Sequence, residues 1–275
     1  MLVDHFALDY ARREAEQRLQ QLSWQMRDAL DDVVHKATSD VQLLASLPHV
    51  QQPAAPAEIR AVLESLQKTV PDYAWIGLAG PDGTVHAATQ GLLEGADVRA
   101  RDWFKGGRQR LYAGDVHAAT LPGTGAPWRF IDAAAPVTGA DGRLRGVLSV
   151  HMSWSRVRRL AQAMLAPADG QYAAEIFVVG GDGTVMLGPQ GMEERKISSD
   201  SLALAHGGGS GALRETWADG RAYLTGYARS GNPADPATLT WAILARQPEE
   251  QALSGARALE RQILLLGAIL GAAMA

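Results

Sequence analysis

The stretches G-P-D-G-T-V (Gly80–Val85) and G-G-D-G-T-V (Gly180–Val185) carry the same D-G-T-V turn, with Asp82 and Asp182 one hundred residues apart by subtraction (182 − 82). Glycine supplies the positive φ that a tight hairpin turn needs. Each turn follows an apolar strand, Tyr73–Ala79 or Glu175–Val179, and leads into a return strand, Thr84–Ala88 or Val185–Gly188. Working outward, Leu111–Ala118, Trp128–Pro136 and Leu144–Met152 read as further strands, the last entered through the G-A-D-G turn at Gly139–Gly142. The second half repeats the order with Leu213–Thr216, Arg221–Tyr227 and Thr240–Arg246, after a glycine loop at Gly207–Gly211. Helices at Ser153–Leu165 and Pro248–Glu260 close the two halves. A strand, an identical turn, more strands and an exit helix in one order form an internal repeat. Hairpins join antiparallel strands, whereas parallel ones need long crossovers, so a doubly wound parallel sheet is excluded and the class is α+β.

The remaining segments give the organisation. Asp4–Leu47 has no Pro or Gly, and Leu22, Met26, Leu30, Val33, Ala37, Val41 and Leu44 recur at steps of three or four or close to it, which predicts one long helix. It exceeds ordinary globular length and is expected to pair with a second copy along part of its course. A shorter helix is predicted at Ala57–Thr69. The expected division is a stalk helix over 1–47, a first module over 48–165, a second over 166–247, and an exit helix running into an anchor over 248–275. The anchor is read from Ile263–Ala275, which is apolar throughout and resembles a membrane span of ~20 residues cut off midway. Met1–Tyr10 carries Asp4, His5 and Asp9 and lacks the order of a signal peptide, so a first anchor is expected outside this sequence. A net charge of −4 gives nucleic acid no electrostatic footprint, and the lack of cysteine removes thiolate chemistry and suits an oxidising compartment.

Chemistry-bearing residues concentrate between Ala100 and Trp154: R-D-W-F (Arg101–Phe104), G-D-V-H (Gly114–His117), W-R-F-I-D (Trp128–Asp132) and His151. Arginines, aromatics and acids between apolar strands suit recognition of a small polar molecule. Asp115 and His117 alternate on an extended segment and with His151 offer two imidazoles and a carboxylate, a competent zinc set. That set defines a rival reading, a metal-dependent periplasmic hydrolase. Arg129 and Asp132 flank Phe130 and can line the pocket or form an internal ion pair. There is no G-x-S-x-G, no H-E-x-x-H and no Walker loop, and G-G-G-S-G (Gly207–Gly211) lacks the lysine that phosphate cradling needs. The chain is therefore read as non-enzymatic, without cofactor or bound metal. Trp217, Tyr223, Tyr227 and Trp241 read as core, which makes the second module a spacer or signal-transmitting unit.

The long helix, the paired D-G-T-V hairpins, R-D-W-F and the closing W-A-I-L-A-R-Q-P (Trp241–Pro248) resemble the double-Cache family over nearly the whole chain. The resemblance implies a periplasmic sensor of an inner-membrane receptor, with two PAS-like modules and ligand bound in the membrane-distal one. G-D-V-H-A-A, W-R-F-I-D-A-A-A-P-V and G-V-L-S-V-H-M-S-W are similar to a subgroup found ahead of diguanylate cyclases; histidine kinase and chemotaxis outputs also occur. In amino-acid-binding members an Arg-x-Trp-aromatic set grips the ligand carboxylate, which Arg101, Trp103 and Phe104 match. An Asp that pairs with the ligand ammonium falls where this chain has His151. With the other chemistry-bearing residues of the stretch, the expected site is Arg101, Trp103, Phe104, Asp115, His117, Trp128, Arg129, Asp132 and His151. With an imidazole in place of that carboxylate, a carboxylate-bearing or neutral ligand is expected rather than a free amino acid, bound by a homodimer.

Overall fold

A computed structural model describes residues 2–52, 55–119, 128–166, 174–259 and 261–262. Its two five-stranded sheets share one topology. The first contains β1 (Tyr73–Ala79), β2 (Val85–Ala88), β3 (Tyr112–Ala119), β4 (Trp128–Thr138) and β5 (Leu144–Ser153) in the order β2-β1-β5-β4-β3. The second contains β6 (Glu175–Val179), β7 (Val185–Leu187), β8 (Gly211–Thr216), β9 (Ala222–Arg229) and β10 (Ala242–Pro248) in the order β7-β6-β10-β9-β8. All the pairings are antiparallel.

The two D-G-T-V turns are built alike. Gly80 N–H donates to the Thr84 carbonyl at 2.8 Å and Gly180 N–H to that of Thr184 at 2.9 Å. Asp82 accepts from the amide and hydroxyl of Thr84 at 3.1 and 2.9 Å, and Asp182 from those of Thr184 at 3.0 and 2.9 Å. Gly83 and Gly183 sit at φ 85° and 84°, a left-handed conformation costly for any residue with a Cβ.

Six of the helices are α1 (Leu2–Ala45), α2 (Pro48–Gln51), α3 (Pro56–Thr69), α4 (Asp102–Gly107), α5 (Ser155–Leu165) and α6 (Asp200–His206). The chain divides into two compact units: Met1–Asp28 with Ala161–Ser230 and Trp241–Ala275, and Ala29–Leu160 with Gly231–Thr240. In the first unit, Ala15 and Leu19 of α1 cluster with Leu224 and Ala245. The approach is close enough that a Cβ on Gly226 would lie 2.2 Å from the Leu19 backbone. In the second unit, Leu30, Val33, Ala37, Val41 and Leu44 are buried at the predicted spacing, and Tyr73 of β1 donates its hydroxyl to Asp40 at 2.6 Å.

Two segments differ from the sequence reading, and a third lies outside the described residues. Residues 200–206 form α6, which was not expected; Ser199 caps it by accepting from the Leu202 amide, and seven residues are too few to display a helical period. The predicted exit helix is instead α7 (Glu249–Ala252), a turn at Leu253 and a helical stretch over 254–259. Among the described residues no helix is long and apolar enough to cross a membrane, and the expected anchor at Ile263–Ala275 lies outside them.

The turns make a stability prediction. Gly183→Ala forces a Cβ into a φ of 84° and within 3.1 Å of the Ile197 carbonyl, and should cost about 1–2 kcal/mol in urea unfolding. Gly181→Ala in the same turn meets nothing within 4 Å and should stay within about 0.5 kcal/mol of wild type. Equal midpoints for the two variants would contradict this account of the turn.

Candidate ligand pocket

The strand register brings the polar residues of the first sheet onto one face. His151 on β5 lies opposite Trp75 on β1 and Asp132 on β4, and Phe130 on β4 lies opposite His117 on β3. Residues directly opposite on neighbouring strands project to the same side, as do residues two apart on one strand, so all five share a face. Helix α4 lies over it with Trp103 and Phe104 buried. The His151 ring is 4.7 Å from Trp75, 5.9 Å from Trp103, 6.0 Å from Phe130 and 6.2 Å from His117, measured between centroids. Trp75 donates its indole N–H to the Leu92 carbonyl at 3.0 Å, and its ring fills the space where a Cβ on Gly77 would stand.

Within this aromatic floor the polar groups are poorly satisfied. Asp132 is 6% exposed and His151 8%, while His117 is 37% exposed. Asp132 Oδ1 is 3.6 Å from His151 Nε2 and its Oδ2 is 3.6 Å from His117 Nε2, both too long for a hydrogen bond. Asp132 Oδ1 and both ring nitrogens of His151 have no hydrogen-bond partner among the described residues. Leaving such a group unpaired in a folded core costs about 1–3 kcal/mol.

Burial dominates the ionisation of both groups. It raises the Asp132 carboxyl well above the usual carboxylate range; Arg101 opposes the shift and Asp102 adds to it. Burial lowers the His151 imidazole to about 3, with His117 and then Arg101 pushing the same way. Although the two groups face each other like an ion pair, the desolvation of each favours an uncharged carboxyl beside an uncharged imidazole.

Arg101 stands exposed at the start of α4, where its carbonyl accepts from the amides of Phe104 and Lys105. The acids that might have held its side chain at the surface are engaged otherwise. Asp97 pairs with Arg99 at 2.6 Å and Asp102 with Lys105 at 3.4 Å. No hydrogen bond or ion pair holds the Arg101 guanidinium among the described residues, yet its field reaches both Asp132 and His151.

The other expected residues separate. Phe104 is fully buried, edge-on to Trp103. Arg129 and Asp132, three apart on a regular strand, present opposite faces, so the internal ion pair between them does not form. The Trp128 side chain lies outside the described residues. A bulge between Gly114 and His117 falls on the segment read as alternating, and Asp115 is exposed, accepting from the Val116 amide at 2.7 Å. Asp115, His117 and His151 therefore do not assemble the metal set of the rival hydrolase reading. Among the described residues no three His, Cys, Asp or Glu side chains could hold a metal ion. Trp75 was missed, because only the pairing of β1 with β5 reveals that it faces His151. A separate cavity of about 580 Å³ lies between Asp31, His35 and Thr38 of α1 and Asn232, Asp235 and Thr238, and shares no residue with this cluster.

The Cache domain model matches residues 8–256. The chain belongs to the Cache domain family. Its fold is that of the ligand-binding domain of the Campylobacter jejuni chemoreceptor Tlp3 in complex with L-valine (TM-score 0.68, 12% identity, covering 90% of this chain and 98% of that one). It is also that of the ligand-binding domain of the Pseudomonas aeruginosa amino acid chemoreceptor PctC in complex with GABA (0.59, 20%, 84% and 98%). A third Cache-like structure is the extracellular domain of the putative histidine kinase vpHK1S-Z8 (0.63, 13%, 92% and 96%). A search of curated protein sequences finds no match. At these identities the structures speak for the fold.

The imidazole at position 151 is the ground for expecting a carboxylate-bearing or neutral ligand rather than a free amino acid, and Asp132 places a carboxyl directly across the ladder from it. Solved Cache-like domains hold GABA and L-valine, both amine-bearing carboxylates.

The two buried groups give opposite pH dependences. The raised Asp132 pKa stabilises the fold below its unfolded value of about 3.9, and that contribution is lost as pH rises through the folded value. Asp132→Asn should therefore gain on wild type as pH rises from about 4. For His151, depressed to about 3, stability present above its unfolded pKa is lost as pH falls towards 3. His151→Gln should abolish that acid-side loss. Urea unfolding between pH 3.5 and 8 checks both signs, and stability differences from wild type that do not change with pH would contradict the buried, uncharged pair.

Proposed function

We propose that the chain is the extracytoplasmic sensing domain of a bacterial membrane signalling receptor. It would bind a small carboxylate whose second polar end is an amine or other hydrogen-bond donor. The observation that carries this reading is the set of buried, unpartnered atoms on Asp132 and His151, together with an Arg101 guanidinium that no acid among the described residues holds and whose charge is felt by both. Arginine presents a planar fork of donors that matches a carboxylate. Trp75 and Trp103 supply apolar walls, and the Asp132/His151 floor accepts from, or donates to, the ligand's other end. An ammonium arriving beside Asp132 supplies the opposite charge that burial denies it, so binding draws the carboxyl towards its ionised form.

In this reading α1 pairs two copies, with Tyr10 and Trp24 exposed along it. Ligand shifts helices leading to the membrane and onward to an output domain, with a diguanylate cyclase the output that the sequence marks favour. The shift is limited to the difference in affinity between the two states.

A thermal-shift screen of small carboxylates with and without amino groups tests the pocket. A ligand at a hundredfold its dissociation constant adds about 2.7 kcal/mol, an upward shift of roughly 5–10 °C for a chain of this size. Arg101→Ala should abolish the response to every carboxylate, and Asp132→Asn should weaken the amine-bearing ones selectively. A hit that stabilises both variants as it does wild type would move the site elsewhere.

A further inference from the structure

The second module contains the first module's pocket in altered form. The shared D-G-T-V turns fix the correspondence: Glu175 stands where Trp75 stands, and Phe177 where Gly77 stands. Across the ladder, Trp75 faces His151 and Glu175 faces Arg246, so Arg246 occupies the place of His151. The next strand continues the match, with Asp132 opposite His151 and Thr225 opposite Arg246. By the same count Tyr223 holds the place of Phe130.

We propose that this second site is a planar-cation cage whose occupant is the chain's own Arg246. The guanidinium carbon lies 4.0 Å from the Trp217 ring centroid, 4.2 Å from that of Tyr223 and 4.8 Å from that of Phe177. Nε donates to Glu175 at 2.6 Å, and the side chain is only 8% exposed. Two hydrogen bonds steady the cage walls: Tyr223 Oη to Asp219 at 2.8 Å and Trp217 Nε1 to Thr225 Oγ1 at 3.4 Å. A guanidinium is flat, permanently charged and weakly hydrated, so aromatic faces and one carboxylate can replace its water shell. An ammonium is compact and strongly hydrated, and fits such a cage less well. In the first module the corresponding His151 has unpartnered nitrogens; in the second the corresponding side chain is held through Nε and three ring faces. The second module therefore takes no ligand while Arg246 is in place, and becomes a guanidinium receptor once that side chain is removed.

Chemical rescue tests this. Arg246→Ala should melt below wild type, and millimolar ethylguanidinium chloride should restore about 2–4 °C in a saturable manner. Ethylammonium chloride at the same ionic strength should restore less, and neither salt should stabilise wild type. No recovery, or equal recovery with the two salts, would overturn the proposal. Should Arg246→Ala fail to fold, wild type still answers through ¹⁵N spectra of arginine side chains. One Nε–H should be ring-current shifted and slow to exchange with solvent, and should be missing in Arg246→Lys. An Arg246 Nε–H exchanging as fast as those of exposed arginines would equally overturn the cage.

Discussion

A carboxyl and an imidazole face each other across β4 and β5 on a wall of tryptophan and phenylalanine, and no hydrogen bond joins them. Everything distinctive about the first module follows from that arrangement. Apolar residues at 132 and 151 would pack the same sheet at lower cost, since burying an unpaired polar group is unfavourable by one to a few kcal/mol in most folded proteins, about 1–3 in mutational series. The cost is tolerable where a ligand supplies the missing partners. Trp75, Trp103 and Phe130 exclude water from the pair, and Gly77 leaves the room that the Trp75 indole needs.

The second module shows the alternative solution on the same scaffold. At the position of His151 it places a permanent charge, and around that charge it gathers three aromatic rings and Glu175. The difference between an unsatisfied polar floor and a filled cage comes down to a few residues at matched register positions: Trp75 against Glu175, Gly77 against Phe177, His151 against Arg246. One fold thus carries a face with unsatisfied polar groups, proposed as the ligand site, and a self-satisfied one, and function belongs to the site rather than to the sheet.

Much of the fold was readable because its signals are local. The D-G-T-V turns demand glycine at a left-handed φ, and the long helix writes its buried seam at steps of three and four. Helix α6 was hidden because its period has too few residues to show. The site was legible only by halves. Arg101, Trp103, His117, Asp132 and His151 stand out by type, but the pairing of Asp132 with His151, and of both with Trp75, is a matter of strand register across three strands and two bulges. Without that register the missing carboxylate at 151 reads as an argument against free amino acids. Trp217 and Tyr223 were correctly read as buried, yet nothing local reveals that an arginine lies between them.

Hydrogen exchange read by mass spectrometry, with and without a saturating carboxylate identified by thermal shift, separates the two modules most directly. The account predicts slowed exchange across α4 and β3–β5, residues 102–107, 112–119, 128–138 and 144–153, with β8–β10 unchanged. Protection confined to β8–β10, around Arg246, would contradict it.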